Sequence, residues 1–242
     1  MEHHISPLVT VVTVTRNAEA SIERTIISVC SQKYANIEYI VIDGNSSDNT
    51  LAIIRKYSHG ISQFINEEDG GIYDAMNKGI RLASSNSHFI TFLNAGDVFH
   101  DSDVIKDIAS SVRLTRSHVY GNFTKAWQVV QTPAKINNYV LSTNMVCHQA
   151  IFFRTGTHRK YLYDTRFKIC ADYKLLIDLT RAGEQFFKIN KTIVNFDMSG
   201  VTHRNRASLH TEKKRIRRMH PKIFLYNMLK HSFRRLRKYL PI

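Results

Sequence analysis

The sequence predicts an α/β fold, a mostly parallel sheet flanked by helices and followed by a basic, amphipathic helical tail. Apolar, β-branched runs alternate with helix-spaced apolar residues through about the first ninety positions, the pattern of strand–helix–strand units. Acid-bearing loops follow three of those runs. The tail shows in the charge: beyond Thr202 lie 13 of the 34 Lys and Arg but one of the 20 acids, a net +12 of the formal +14.

Leu8 to Val14 (LVTVVTV) is compact and β-branched, the composition of a strand buried on both faces. After Thr15-Arg16-Asn17, residues Ile22, Ile26, Val29 and Cys30 recur at helical spacing, predicting a helix to about Ser31. Glu38 to Ile42 is the second strand, followed by a turn and a short helix from about Asn49 to Tyr57. Gln63 to Asn66 makes a weaker third strand. Ile72, Ala75, Met76, Gly79 and Ile80 then mark one helix face, and His88 to Leu93 is the fourth strand. Right-handed crossovers place the loops after these strands at one end of the sheet.

Beyond Asp97 the pattern is less regular. Val119 to Thr124 and Trp127 to Gln131 suit antiparallel strands, Ala150 to Phe153 a buried strand, Asp172 to Arg181 a helix, and Phe186 to Phe196 one or two strands. In the tail, Pro221 fits a first helical position. Leu225, Met228, Leu229, Phe233, Leu236, Tyr239 and Leu240 then share a face, while Lys222, Lys230, Arg234, Arg235, Arg237 and Lys238 cover much of the rest.

At 242 residues and 43% apolar, the chain suits one large domain, or one domain with an appendage, around a substantial core. Cys30, Cys147 and Cys170 share no metal-ligand spacing and read as free thiols of a reducing, cytosolic setting. Met-Glu-His-His followed by a strand-like run gives no expectation of a secretory signal. No apolar run approaches the roughly 18–20 residues that cross a bilayer. A soluble or membrane-peripheral protein is expected.

The three acidic loops are Asp43-Gly44-Asn45-Ser46-Ser47-Asp48, Glu67-Glu68-Asp69-Gly70-Gly71-Ile72-Tyr73-Asp74 and Asn94-Ala95-Gly96-Asp97. Acids at successive strand ends converge on one cleft. There they suit ribose hydroxyls, the donor edge of a base, or a divalent cation that holds phosphates. Each also has a plainer use. Asp43 can close an Asx-turn, Asp48 can prepare the following helix, and Asp74 can favour the positive helix end. Gly70-Gly71 lets the backbone approach a ligand that Asp69 contacts, and Lys78 can be a solvated side chain.

With Val11–Asn17, Val41–Thr50, Asp69–Gly79, Phe92–Asp97, Cys147-His148-Gln149 and Ala171-Asp172-Tyr173 in this order, the chain resembles family 2 glycosyltransferases of GT-A fold. The likeness is to bacterial enzymes that build O-antigen, capsule or exopolysaccharide, and it covers roughly residues 7–202. The resemblance implies a nucleotide-sugar-binding half (1–100), an acceptor-binding half (101–206) and the tail (207–242). It implies nucleotide-sugar contacts from Thr15, Asn17, Asp43, Asp69, Asp74, Asn94 and Asp97, with Asp43 on the uracil or ribose. Asp172 takes the part of catalytic base. His148, Gln149 and His203 serve the acceptor or the diphosphate, with Arg204 beside His203 and Ser199–Thr202 resembling a segment that closes over the donor. Relatives carry Asp-x-Asp and a further acid where this chain has Asn94-Ala95-Gly96-Asp97. A Mn²⁺ or Mg²⁺ cofactor is therefore implied with Asp97 as its single charged protein ligand.

The expected activity is inverting transfer of a hexose or N-acetylhexosamine, from UDP-Gal, UDP-Glc or UDP-GlcNAc, to a glycan on undecaprenyl diphosphate. The basic tail (208–242) is expected to lie on an anionic membrane at its cytoplasmic face. Three rivals are weighed beside this. A nucleic-acid-binding protein would want basic and aromatic side chains along the body as well. A sugar nucleotidyltransferase would want a glycine-rich basic loop where Thr15-Arg16-Asn17-Ala18 stands. The third is a non-catalytic member of the same family.

Overall fold

A computed structural model describes residues 6–111, 116–143, 146–198 and 206–236. Strands β1 (Val9–Thr15), β2 (Ile37–Asp43), β3 (Gln63–Asn66) and β4 (Phe89–Phe92) run parallel in the order β3-β2-β1-β4. Their side chains alternate between two cores, and both faces are apolar. Val9 and Val11 join Tyr39, Val41 and Phe89 in one core, while Val12 and Val14 join Ile40, Ile42, Ile90 and Phe92 in the other. The unbroken apolar runs of the sequence follow from that double burial. Helices α1 (Ile22–Cys30), α2 (Thr50–Lys56) and α4 (Val104–Ser111) pack on the first core, and α3 (Ile72–Leu82) and α7 (Ala171–Arg181) on the second. Gly79 lets α3 approach β1 closely, because a Cβ there would strike Val12.

Beyond β4 the sheet turns antiparallel. β4 pairs with β8 (Ile151–Arg154), and β8 with β6 (His118–Lys125). β6 lies parallel to β9 (Phe186–Phe196), and β5 (Val98–Phe99) closes the edge against β9. β9 is one strand with register shifts near Asn122. β7 (Gln128–Val130) forms a hairpin with β6, but begins after Trp127 rather than at it. Ala126 (φ 48°) and Trp127 (φ 64°) make the two-residue turn, left-handed at both positions as the strand twist requires.

The remaining helices are α5 (Asn138–Thr143), α6 (Thr155–Lys160), α8 (Arg206–Arg218) and α9 (Pro221–Leu236). The carboxyl-terminal helices correct the expectation of a separate tail. Ile216 and Ile223 are buried in the same core as α3 and α7. Glu212, the tail's single acid, accepts the backbone N–H groups of Lys168, Ile169 and Cys170 at 2.8, 3.0 and 2.9 Å. Those donors lead into α7 and have no intrahelical partner. On α9, Ile223 and Asn227 face the body, and Asn227 Nδ2 donates to the Ser142 carbonyl at 2.8 Å. The apolar stripe expected to be the tail's working face points outward, with Leu225, Met228 and Leu229 about half exposed. Helical periodicity marks apolar stripes without saying which one docks. The side chains of Phe233 and Leu236, and all of Tyr239 and Leu240, lie outside the described residues.

Candidate active site

The strand order reverses between β1 and β4, which makes their carboxyl ends the switch point where open α/β sheets take ligands. Thr15 ends β1 and Asn94 follows β4; Thr15 Oγ1 and Asn94 Oδ1 are buried with no hydrogen-bond partner. The loops after β1 and β2 are tied together. Asn17 (φ 49°) donates its N–H to Ser46 Oγ at 2.8 Å, and its Oδ1 accepts the Ser47 N–H at 2.9 Å.

Asp43 is fully buried, taking the Ser46 N–H on Oδ1 at 2.8 Å and the Ser46 hydroxyl on Oδ2 at 2.6 Å. It closes the turn that the sequence allowed as an alternative to ligand binding. Asp48 accepts the Thr50 N–H at 3.0 Å and so prepares α2. Asp69 accepts the Gly71 N–H at 2.8 Å, and Asp74 the Gly70 N–H at 3.0 Å. Gly71 (φ 116°) occupies a backbone region that favours glycine. Lys78 is not solvated, as the sequence alone allowed. It pairs with Glu67 at 2.8 Å and donates to the Glu68 carbonyl at 2.8 Å, fixing the acidic loop to α3.

A second group lies where β4, β8 and α7 meet. Asp97 accepts the Gln149 side-chain N–H on Oδ2 at 3.1 Å and the Asp197 backbone N–H on Oδ1 at 2.8 Å. Burial pushes its carboxyl up to about 6, against those hydrogen bonds and the neighbouring His148, which favour the ionised form. Thr25 supports the same loop, accepting the Gly96 N–H at 2.9 Å and donating to the Asp97 carbonyl at 2.8 Å. Asp172 is 6% exposed in the first turn of α7. Its Oδ2 lies 3.0 Å from His148 Nδ1, and its Oδ1 accepts the Tyr173 N–H at 2.8 Å. Tyr73, reaching over from α3, shares its hydroxyl proton between Asp172 Oδ1 (3.0 Å) and the Ile169 carbonyl (2.9 Å). Burial, and then the Asp172 charge, hold that phenol well above its ordinary range. His148 is buried, and its Nε2 has no partner.

The structure thus brings Asp97, His148, Gln149 and Asp172 into one buried network, and gathers Asn17, Asp43, Asp69 and Asp74 in the adjoining loops. His203, Arg204 and Ser199–Thr202 lie outside the described residues. Sequence reading assigned no role to Tyr73 or Thr25, nor to Asp197, which pairs with Arg24 at 2.6 Å. Tyr73 stands within a quoted motif, but nothing local marks it as the partner of a residue 99 positions away.

The implied cation finds a poor donor set. Asn94 is neutral, Gly96 brings no side chain, and each oxygen of Asp97 already takes an N–H. Among the described residues no three His, Cys, Asp or Glu are grouped to hold a metal ion. Mg²⁺ and Mn²⁺ favour charged oxygen ligands, so these residues do not fit a cation held by the chain alone.

Fold and site together define a glycosyltransferase of GT-A fold. The chain belongs to glycosyl transferase family 2, whose model matches residues 10–172. An uncharacterized glycosyltransferase of Mycobacterium tuberculosis is 30% identical over 97% of this chain and 92% of its own length. The Escherichia coli enzyme WfgD, a UDP-Glc:α-D-GlcNAc-diphosphoundecaprenol β-1,3-glucosyltransferase, is 34% identical over 48% of this chain and 46% of its own. Among solved structures, Staphylococcus aureus TarS 1-349 in complex with UDP superposes with a TM-score of 0.68 at 17% identity, over 78% of this chain and 60% of that one. A mannosyltransferase from Pyrobaculum calidifontis, in complex with GDP-Man and Mn²⁺, gives 0.64 at 17% identity, over 80% and 57%. The chain spans less than two thirds of these solved structures, and the likeness to them is one of fold.

Proposed function

We propose that the chain is an inverting glycosyltransferase that moves a hexose or N-acetylhexosamine from a UDP-sugar onto a hydroxyl of a lipid-diphosphate-linked glycan, in bacterial surface polysaccharide synthesis. The observation that carries this reading is the buried Asp172–His148 pair beside the switch point, with Tyr73 and Tyr173 fixing the carboxylate. A fixed acid–base pair facing a nucleotide-binding crevice suits removal of a proton from an attacking hydroxyl. In-line displacement at the anomeric carbon then turns an α-linked donor into a β-linked product. The loops of Asn17, Asp43, Asp69 and Asp74 shape the nucleotide side, and Asn94 Oδ1 and Thr15 Oγ1 offer it unused polar atoms. Gln149 holds Asp97 for the diphosphate side of the site, and His203 is assigned to the diphosphate by family resemblance. A divalent cation belongs to this reading only as one carried in by the donor's phosphates, with Asp97 the nearest carboxylate. WfgD, named for a diphosphoundecaprenol acceptor, and TarS, solved with UDP, support the choice of substrates.

Membrane attachment is the second part of the proposal. Phe224, Leu225, Tyr226, Met228 and Leu229 of α9 are 41–56% exposed, with Tyr139 of α5 beside them at 59%. Such apolar area next to a basic segment suits the headgroup layer of an anionic membrane on the cytoplasmic side. No described helix is long and apolar enough to cross a membrane.

The test is UDP release by purified protein across a panel of UDP-sugars, with a synthetic lipid-diphosphate GlcNAc or GalNAc acceptor. Acceptor-dependent release from one donor, lost in Asp172→Asn, is the expected result. Silence with UDP-, GDP- and dTDP-sugars would leave a non-catalytic binding role.

A further inference from the structure

Four buried histidines keep Nε2 without a hydrogen bond among the described residues, and their Nδ1 partners sort them. His118 Nδ1 accepts the Arg154 N–H at 2.9 Å, which puts its proton on Nε2. His220 Nδ1 lies 2.9 Å from the Arg181 guanidinium and likewise accepts. His158 gives its Nδ1 proton to the Tyr161 carbonyl at 2.9 Å and sits among the rings of Phe92, Phe153 and Tyr163. His148 alone of the four sets Nδ1 against a carboxylate, 3.0 Å from Asp172 Oδ2. An ionised carboxylate only accepts, so the Nδ1 proton lies between them, and in the neutral ring it is Nε2 that carries the lone pair.

Asp172 itself has little left to offer. Its Oδ1 accepts from Tyr73 and Tyr173, and its Oδ2 from His148. Three of the roughly four acceptor directions of a carboxylate are thereby used.

Resting on the glycosyltransferase reading above, we propose that His148 Nε2 receives the proton of the attacking acceptor hydroxyl, and that Asp172 is a positioning residue acting through His148. In the step, the acceptor oxygen bonds to the anomeric carbon as the bond from that carbon to the diphosphate oxygen breaks. The electron pair of the broken bond leaves on the diphosphate, and the hydroxyl proton passes to Nε2. The imidazolium so formed is held by Asp172 on Nδ1, with the Asp97 carboxylate also close enough to feel its charge. Tyr73 and the Tyr173 N–H keep the Asp172 plane, and so the ring, in place. The acceptor hydroxyl supplies the partner that the buried Nε2 lacks.

His148→Ala and His148→Gln, in the full chain, test the assignment under the donor and acceptor that give wild-type turnover. The expected result is a fall in kcat of about 10²–10⁴-fold, the usual reach of general-base catalysis, with both KM values changed only a few-fold. Added imidazole should restore part of the rate to His148→Ala and none to Asp172→Ala. The Gln variant keeps a donor toward Asp172, so it answers the question if the Ala variant fails to fold. Either variant within ten-fold of wild-type kcat would overturn the proposal. So would a loss that imidazole does not recover in a His148→Ala protein that binds UDP and melts like wild type, since Asp172 would then be the base. Absence of turnover in the wild type itself would instead strike the glycosyltransferase reading, and the proton transfer with it.

Discussion

The loops after β2 and β3 and the cluster between β4, β8 and α7 are both rich in acids, yet they spend their carboxylates differently. In the loops each acid takes a donor from its own neighbourhood: Asp43 to Ser46, Asp48 to Thr50, Asp69 to Gly71 and Asp74 to Gly70 span two to four positions. Of these four only Asp48 adds a described hydrogen bond from afar, from the Glu19 N–H. In the cluster the partners come from afar, 99 positions for Tyr73 and Asp172, 52 for Gln149 and Asp97, and 100 for Asp197 and Asp97. The loops are shaped by turn chemistry, and in the proposed function they form the nucleotide side. The cluster is a buried network whose acids are held in place by distant elements, which is where acid–base chemistry belongs.

Three measurements break or sharpen that contrast. The largest effect is expected from Asp97→Asn. Burial lifts the Asp97 carboxyl from its ordinary 3.8 to about 6, so between those values the folded chain holds a proton that the unfolded chain has released. Stability from this group falls as pH climbs through that window and is level above it. The stability of Asp97→Asn relative to wild type should therefore rise by up to about 3 kcal/mol between pH 4 and pH 8, on top of a pH-independent cost for turning an amide N–H toward Gln149 or Asp197. A difference that does not move with pH would mean that the cluster does not desolvate its acid.

Next comes Tyr73→Phe, which removes one donor from Asp172 and leaves the ring packed against Tyr163. We expect kcat to drop about ten-fold, equivalent to about 1.4 kcal/mol, with donor KM unchanged. A shift confined to donor KM would assign Tyr73 to the loops instead.

The smallest effect is expected on the loop side. Ser46→Ala strips the hydroxyl donor from Asp43 and should cost about 1 kcal/mol of stability, weakening UDP binding in a titration while kcat holds. An equal fall in kcat would erase the distinction between the two regions.

Much of this molecule was legible from its residues. The parallel half of the sheet announces itself because double burial demands unbroken β-branched runs, and the Asp43 and Asp48 turns because Asx chemistry is local. The mixed half beyond β4 was legible in its strands but not in all of their pairing, since β6 meets β9 in parallel across more than sixty intervening residues. Lys78 looked like a solvated side chain because its partners Glu67 and Glu68 lie across a turn whose direction depends on Gly70 and Gly71.

By itself the sequence determined the α/β alternation, the acid-bearing strand ends, the start of α9 at Pro221 and the concentration of positive charge near the carboxyl end. Each rests on interactions within a few residues or on composition. Only the tertiary structure decided that α8 and α9 dock on the body through Ile216, Glu212 and Ile223, and that the outward stripe of α9 is the apolar one. It alone set His148 against Asp172 with Nε2 unpartnered and Tyr73 behind the carboxylate. Those contacts join segments that no local propensity connects, and they form only when packing of the two cores brings the segments together.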